Sequence, residues 1–346
     1  MDKDRIGVLF GGKSQEHEIS ILSAASLMDA IDTGKHEVVP VAIDKDGAWH
    51  LIESDMGGLR TLDDPRMAGL VSGAPKVGIP DVAGMVDFVF PMFHGPFGED
   101  GTMQGLLEIL GLPYAGCGVC SSAVSMDKIF TKKLLTDAGI PVLDYAYTSA
   151  GIYRADAAAE LTRIEEAVGY PCYVKPANMG SSVGVSRASC RAELEAAIGE
   201  ALRYDRRVLA EKEAGMRELE TAVLGNDDPS AGAVGEIVTG GAFYDYETKY
   251  KVKAFDLNIP ADIPKSVEQR VRELAIRTFK ALDGAGFARV DFFAGDTADK
   301  VYVNEMNTIP GFTQYSMFPR LWEAAGVAYP ELIERIIELG YERHGG

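Results

Sequence analysis

Short apolar runs alternate with amphipathic ones along the first part of the chain. Ile6–Phe10 is a continuous apolar run ended by Gly11-Gly12, the pattern of a buried strand and a turn. Ile19, Leu22, Leu27 and Ile31 then fall along one broad helical face. Val38–Ile43 and Phe88–Pro91 read as further buried strands, and Thr102–Leu110 as a helix closed by Gly111. Strands separated by helices predict an α/β fold with a parallel sheet covered on both faces. The segment Ser54–Ala83, rich in Gly, Pro and Asp, reads as an irregular excursion.

The pattern continues beyond this region. A helix is expected from about Ser122 to Ala138, stopped by Gly139-Ile140-Pro141. Ala155–Ala167 and Arg191–Arg203 read as helices, and Cys172–Lys175, Val183–Ser186 and Val208–Lys212 as strands. The last third is strand-rich before it ends in helices. There, Ser266-x-x-Gln269 resembles a capping box opening a helix that runs to Leu282, with Gly284 just beyond. Shifts in the pattern put domain boundaries near 116 and 212, which gives units of 1–116, 117–211 and 212–346.

Composition narrows the partners. The 346 residues carry 34 Lys+Arg against 52 Asp+Glu, a formal net charge of −18. Such a chain repels phosphate backbones and anionic lipid, so nucleic-acid and membrane partners are not expected. An anionic ligand would need a local pocket of Lys, Arg or metal. No run approaches the ~18 apolar residues of a membrane span. The apolar run Ile6–Phe10 is too short for a secretory signal. Four cysteines in this length make no disulfide scaffold, and Cys117-x-x-Cys120 lacks the second pair of a zinc site, so buried free thiols and a cytoplasmic setting are expected.

Gly7 to Ser14 formally fits G-x-x-x-x-G-K-[ST], but a P-loop needs its first glycine after the strand, and Val8, Leu9 and Phe10 are the strand itself. A Gly11-Gly12 turn that places Ser14–Glu18 at the carboxyl end of the first strand fits better, since ligands bind at that edge of open α/β sheets. Near the C-terminus, Arg289-Val-Asp291 and Asn304-Glu305-Met-Asn307 flank a turn-like Gly295–Asp299. A hairpin there makes Asp291 face Glu305, and strand alternation puts Glu305 and Asn307 on one side. Three hard oxygens would then converge, a set suited to Mg2+, or else simply a solvated hairpin face. Tyr173-Val-Lys175 leads into the Gly180-Ser-Ser182 loop, where small residues let backbone N–H groups approach a phosphate and the lysine supplies charge. The acidic side chains of Glu211, Glu218 and Glu220 suit adenine or ribose, or could equally be surface charge. His94 lies in a glycine-rich turn before a helix N-terminus, where it could serve structure or a carboxylate ligand. The aromatic stretch Phe243–Tyr250 reads as a lid, or as a loop packed on the body.

Together these motifs resemble the ATP-grasp superfamily and, within it, the D-alanine–D-alanine ligases. The resemblance rests on Glu16-His-Glu-Ile-Ser20, His94-Gly95 with Gly98–Thr102, Ser125-Met-Asp-Lys128, Val174-Lys175-Pro, Gly180–Gly184, Tyr244–Tyr250, Arg289-Val-Asp291 and Asn304–Gly311, and it covers nearly the whole chain. It implies a three-domain ATP-grasp fold with an N-terminal parallel-sheet α/β domain. Lys128, Lys175, Gly180 and Ser182 would then contact the phosphates. Glu211, Lys212 and Glu218 would meet the nucleoside, with Lys249 and Phe293 as further nucleotide contacts. Asp291, Glu305 and Asn307 would carry two Mg2+ or Mn2+ ions, and K+ joins the cofactors to be tested. The implied reaction joins two D-alanines through an acyl phosphate. Glu16 would pair with the first ammonium beside His94, Arg289 and the Gly311 N–H would face the oxyanion, and Ser316 and Met317 would take the second carboxylate. Tyr250 and Ser181 would latch towards Glu16. The presence of Tyr250 favours an amine acceptor over D-lactate and leaves D-serine as the alternative to D-alanine. Phe318, where relatives commonly have Tyr, falls near the expected second substrate. The resemblance also implies a homodimer.

Overall fold

The computed structural model describes residues 3–67, 69–238 and 256–345. Its first sheet is built from β1 (Asp4–Gly11), β2 (His36–Ile43), β3 (Trp49–Leu51) and β4 (Phe88–Met92), in the order β3-β2-β1-β4. β1 pairs in parallel with both β2 and β4, and only β3 runs antiparallel. The apolar run at Ile6–Phe10 is the centre of β1, and Gly7 sits inside the strand, as expected for the false P-loop match. A Cβ at Gly7 would come within 2.8 Å of Val86 Cγ1, so close packing explains the glycine. Gly11 and Gly12 turn with φ of 87° and 90°, and Gly12 N–H donates to Ile43 O at 2.7 Å. α1 (His17–Ala30) follows directly, so the residues around Glu16 stand at the carboxyl edge of the sheet. α2 (Ile79–Met85) lies within the stretch read as irregular, and α3 (Thr102–Leu110) ends at a left-handed Gly111, as expected.

The expected helix over Ser122–Ala138 is two helices, α4 (Val119–Met126) and α5 (Lys128–Asp137). Asp127 separates them in extended conformation, and its Oδ1 accepts from Ile129 N and Phe130 N at 3.1 Å. A side chain that caps the second helix competes with continuing the first. α6 (Ala150–Ala155) and α7 (Ala157–Val168) are likewise divided at Asp156, whose side chain accepts from Ala159 N.

β5 (Tyr145–Ser149), β6 (Cys172–Pro176), β7 (Ser186–Ala188) and β8 (Arg207–Lys212) form an antiparallel sheet, β5-β8-β6-β7, with α8 (Arg191–Ala201) between β7 and β8. β7 starts at Ser186, later than the expected Val183, because 183–185 belong to the turn after the Gly/Ser loop. β9 (Arg217–Leu224), β10 (Ser230–Val238), β11 (Asp256–Asn258), β12 (Phe287–Ala294) and β13 (Val301–Asn307) form the third sheet, β11-β10-β9-β12-β13, also antiparallel. β8 and β9 are therefore neighbours in sequence that belong to different sheets.

α9 (Lys265–Ala281) begins one residue before Ser266, with Pro264 as its N-cap and no side-chain cap, so the capping box does not form. Asp283 takes the left-handed position at its end, while a Cβ on Gly284 would lie 2.6 Å from the Phe279 ring. α10 (Met317–Ala324) and α11 (Tyr329–Arg343) return to the first sheet, where Leu332, Ile333 and Ile336 pack with Phe88, Phe90 and Leu27. The other face of that sheet buries Leu9, Val41 and Val89 against Val82 and Leu107. Both faces are covered, as the alternation predicts. All four cysteines are free: Cys117 and Cys172 are buried as expected, whereas Cys120 and Cys190 are exposed.

Candidate active site

A cleft of about 1700 Å3 opens where the three sheets meet. Every residue named above for substrate, nucleotide or metal lines it, apart from Lys249 and Tyr250, which lie outside the described residues. The first sheet contributes the turns after β1 and β4. Glu16 is buried there, and its Oε1 accepts a hydrogen bond of 2.6 Å from Ser181 Oγ, which arrives from the Gly/Ser loop. Ser181 and Ser182 hold φ of 50° and 59°, left-handed values that cost a non-glycine residue energy and are found at ligand-binding loops. His94 is buried and joins three segments. Its Nδ1 donates to Ile309 O at 3.1 Å, so Nε2 is the acceptor for Ser23 Oγ–H at 2.9 Å. Burial lowers its pKa, which keeps the imidazole neutral in this arrangement.

The third sheet supplies the acidic face. In the β12–β13 pairing Asp291 is opposite Glu305 and Arg289 opposite Asn307, the register expected from sequence, and a bulge follows Asp291. Arg289 Nε and Nη2 donate to the two Asp291 oxygens at 2.7 and 2.8 Å, and Asn307 Nδ2 donates to Asp291 Oδ2 at 2.9 Å. Arg289 Nε also lies 2.9 Å from Glu220 Oε2, on the neighbouring β9. Beyond β13, Gly311 and Ser316 close the far end. Ser316 precedes the first turn of α10, and its Oγ takes a 3.1 Å hydrogen bond from Thr313 N–H, leaving the helix N-terminus directed at the cleft. Phe318 does not line the cleft: it is fully buried, stacked on Phe312 with centroids 5.7 Å apart. It packs in the core directly behind Ser316 and Met317, which do line the cleft.

The central elements bring the cations. Lys128, the first residue of α5, donates to Met179 O at 2.9 Å and lies 3.2 Å from Glu305 Oε2. Lys175 on β6 donates to Glu211 Oε2 at 2.8 Å. Glu211 is 2% exposed, and its other oxygen is paired with Lys132, itself 2% exposed. Glu211 thus presents to the cleft a carboxylate shared between two lysines. The two ammonium groups hold its pKa down against burial. Lys212 reaches Asp144 at 3.5 Å, and Glu218 and Phe293 occupy opposed positions on β9 and β12.

Sequence reasoning missed Lys132 and the role of Glu99, and it named Glu220 without its pairing with Arg289. Lys132 sits one helical turn after Lys128, so the i, i+4 spacing was the available signal. Glu220 alternates with Glu218 along β9. Glu99, inside the glycine-rich turn, accepts from Gly95 N at 2.5 Å and Ile309 N at 3.3 Å. Burial, helped by the nearby Glu16 charge, raises its carboxyl to about 8.

Comparison with known proteins adds a family to this geometry. Residues 5–117 match the family model described as D-ala D-ala ligase N-terminus, and residues 134–338 match D-ala D-ala ligase C-terminus. The chain is 45% identical to the D-alanine–D-alanine ligase of Acetivibrio thermocellus, over 99% of this chain and 97% of that protein. It is also 45% identical to that of Geobacillus kaustophilus, over 99% and 96%. Among solved structures, the D-alanine-D-alanine ligase of Coxiella burnetii superposes with a TM-score of 0.83 at 38% identity, covering 99% of this chain and 95% of that one. The VanG D-Ala:D-Ser ligase of Enterococcus faecalis gives 0.82 at 33% identity, over 98% and 100%. With two family models spanning most of its length and relatives matched end to end, the chain belongs to the D-alanine–D-alanine ligase family, with its ATP-grasp fold.

Proposed function

We propose that this protein joins two D-alanines at the expense of ATP, the reaction that supplies the dipeptide for peptidoglycan precursors. The observation that carries this reading is one cleft that holds a carboxylate at one end, a helix N-terminus at the other, and lysines facing an acidic hairpin between them. Glu16 is placed for the ammonium of the first D-alanine. The carboxylate oxygen of that D-alanine attacks the γ-phosphorus, the bond to the ADP oxygen breaks, and an acyl phosphate forms. Lys128 and Lys175 face the phosphates, while Gly180–Ser182 offers backbone and hydroxyl donors above them. The amine of the second D-alanine then attacks the acyl carbon, and phosphate leaves with the electron pair of the C–O bond. Arg289 and the Gly311 N–H stabilise the oxyanion, and the Ser316–Met317 helix start receives the second carboxylate.

The donor set suits Mg2+. Among the described residues no group of three or more His, Cys, Asp or Glu forms a metal site, and the proposed set is instead two carboxylates and an amide. Asn307 commits its Nδ2 to Asp291, so Oδ1 is its ligating atom. Few protein oxygens, with substrate phosphates completing the shell, is the habit of Mg2+. When bound, the metal supplies charge neutralisation on the transferring phosphoryl group. Asp291, Glu305 and Asn307 would hold two such ions. Mn2+ would suit the same oxygens, and exchanging K+ for Na+ in the assay tests for a monovalent requirement.

The three sheets support domains of 1–116, 117–211 and 212–346. Tyr250 and Lys249 keep their lid and nucleotide roles in this proposal. The homodimer rests on family membership alone, and sedimentation tests it. A cytoplasmic setting suits ATP use and four free thiols. D-Serine as acceptor is the second reading, raised by the TM-score of 0.82 to the D-Ala:D-Ser ligase and weighed down by its 33% identity against 45% to D-alanine–D-alanine ligases. Phosphate release from Mg·ATP with D-alanine, L-alanine, or D-alanine plus D-serine or D-lactate separates these. Release with D-alanine alone supports the first reading, and release only on adding a second acid moves the acceptor. Silence from folded protein that binds ATP overturns the enzyme.

A further inference from the structure

We infer that Lys132 is a positioning residue for nucleotide phosphates, the buried counter-ion that leaves the charge of Lys175 available to the cleft. The inference rests on the ATP reading above.

Lys175 alone with Glu211 would be a neutral pair: the ammonium donates to Glu211 Oε2 at 2.8 Å, and the carboxylate would cancel the charge meant for a phosphate. The structure adds a second cation on the far side of that carboxylate. Lys132 pairs with Glu211 Oε1, both side chains are 2% exposed, and Lys132 Nζ also donates to Val303 O at 3.3 Å. Two lysines on one carboxylate leave the cluster with net positive charge. Of its three members, Lys175 is the more open lysine and lines the cleft. Lys132 is sealed away, so it cannot meet a substrate itself; it acts through Glu211. The bond to Val303 O further ties α5, which carries Lys128, to the strand that carries Glu305 and Asn307. A buried cation is costly to maintain, and here its placement offsets one carboxylate next to a phosphate-binding lysine.

The test compares binding of ADP and adenosine by titration calorimetry on the full chain, in wild type, Lys132→Met, Lys132→Arg and the double variant Lys132→Met/Glu211→Gln. Wild type should bind ADP more tightly than adenosine. Lys132→Met should lose about tenfold of that preference, the scale of one charge-assisted contact, while adenosine affinity stays near wild type. Lys132→Arg should restore it in part. The double variant leaves Lys175 charged beside a neutral amide, so its ADP preference should recover even though two side chains have changed. It also provides a second comparison if Lys132→Met proves too unstable, since the remaining charge is on Lys175, the more open lysine at the cleft. A merely structural lysine would give the opposite order, with the double variant worse than the single. An unchanged ADP-to-adenosine ratio in Lys132→Met, or no recovery in the double variant, overturns the inference. Wild type that does not distinguish ADP from adenosine overturns the nucleotide reading and this inference with it.

Discussion

The acidic face of the β12–β13 hairpin and the lysine cluster beneath the Gly/Ser loop lie in the same cleft, yet they are assembled differently. The hairpin face is local: Asp291, Glu305 and Asn307 come from two strands joined by a short turn, and period-two alternation fixes their side. The lysine cluster is remote: Lys128 and Lys132 come from α5, Lys175 from β6 and Glu211 from β8. A local site can be lost one ligand at a time while the fold persists. A remote site is coupled to the packing that brings its elements together, so a change at one member is felt at the others.

That difference orders the expected effects. Glu305→Gln should be the most damaging to chemistry and the least to folding, because its side chain is 29% exposed and changes only in charge. Turnover is expected to fall on the order of a thousandfold with a near-normal melting temperature, as lost charge stabilisation at a phosphoryl group is worth several kcal/mol. Wild-type turnover with unchanged metal dependence would remove the metal assignment. Arg289→Met should cost about a hundredfold in kcat if the guanidinium serves the oxyanion. It should also lower the melting temperature, since Asp291 and Glu220 both lean on it. A kcat unaltered while the melting temperature drops would make Arg289 purely structural.

Ser181→Ala deletes the 2.6 Å bond to Glu16. A hydrogen bond to a charged group predicts about a tenfold loss in kcat/KM for D-alanine, with the KM for ATP unmoved. An effect on ATP alone would shift Ser181 from the latch to the phosphates. The smallest effect is one of pH. Glu99 is raised to about 8 from an ordinary 4.5, so the folded protein keeps a proton there that the unfolded chain has released. This contribution is fully present below about pH 4.5 and is lost as the pH rises towards 8. Glu99→Gln removes the titration and keeps one acceptor oxygen, for Gly95 N–H, at the cost of the longer bond from Ile309 N–H, an offset that does not vary with pH. Its melting temperature relative to wild type should therefore rise between pH 5 and pH 8, and parallel curves would contradict the burial argument.

What the sequence revealed follows the same local-versus-remote division. Strands β1, β2 and β4, helix α3 with its Gly111 stop, and the Asp291–Glu305 register were legible because each is set by periodicity and a turn. The break at Asp127 was not, because an aspartate within an apolar-periodic stretch looks like a solvent-facing residue until its side chain is seen to cap the next helix, and the short helix α6 before Asp156 was not read at all. The capping box at Ser266 was read where none forms, since Pro264 starts the helix earlier. That Phe318 stacks on Phe312 in the core, behind the cleft-lining Met317, was not legible from its position in the motif. Lys132, the role of Glu99 and the pairing of Glu220 with Arg289 went unread for a common reason: they depend on partners remote in sequence or on another strand, as Lys132 and Glu211 show.

The central claim is that ATP activates a D-alanine carboxylate as an acyl phosphate before a second D-alanine displaces it. D-Alanine labelled with oxygen-18 in its carboxylate, incubated with Mg·ATP and the enzyme, tests this directly by mass analysis of both products. The account predicts the mass of D-alanyl-D-alanine together with inorganic phosphate that carries one labelled oxygen. Unlabelled phosphate, or labelled phosphate with no dipeptide, would contradict it.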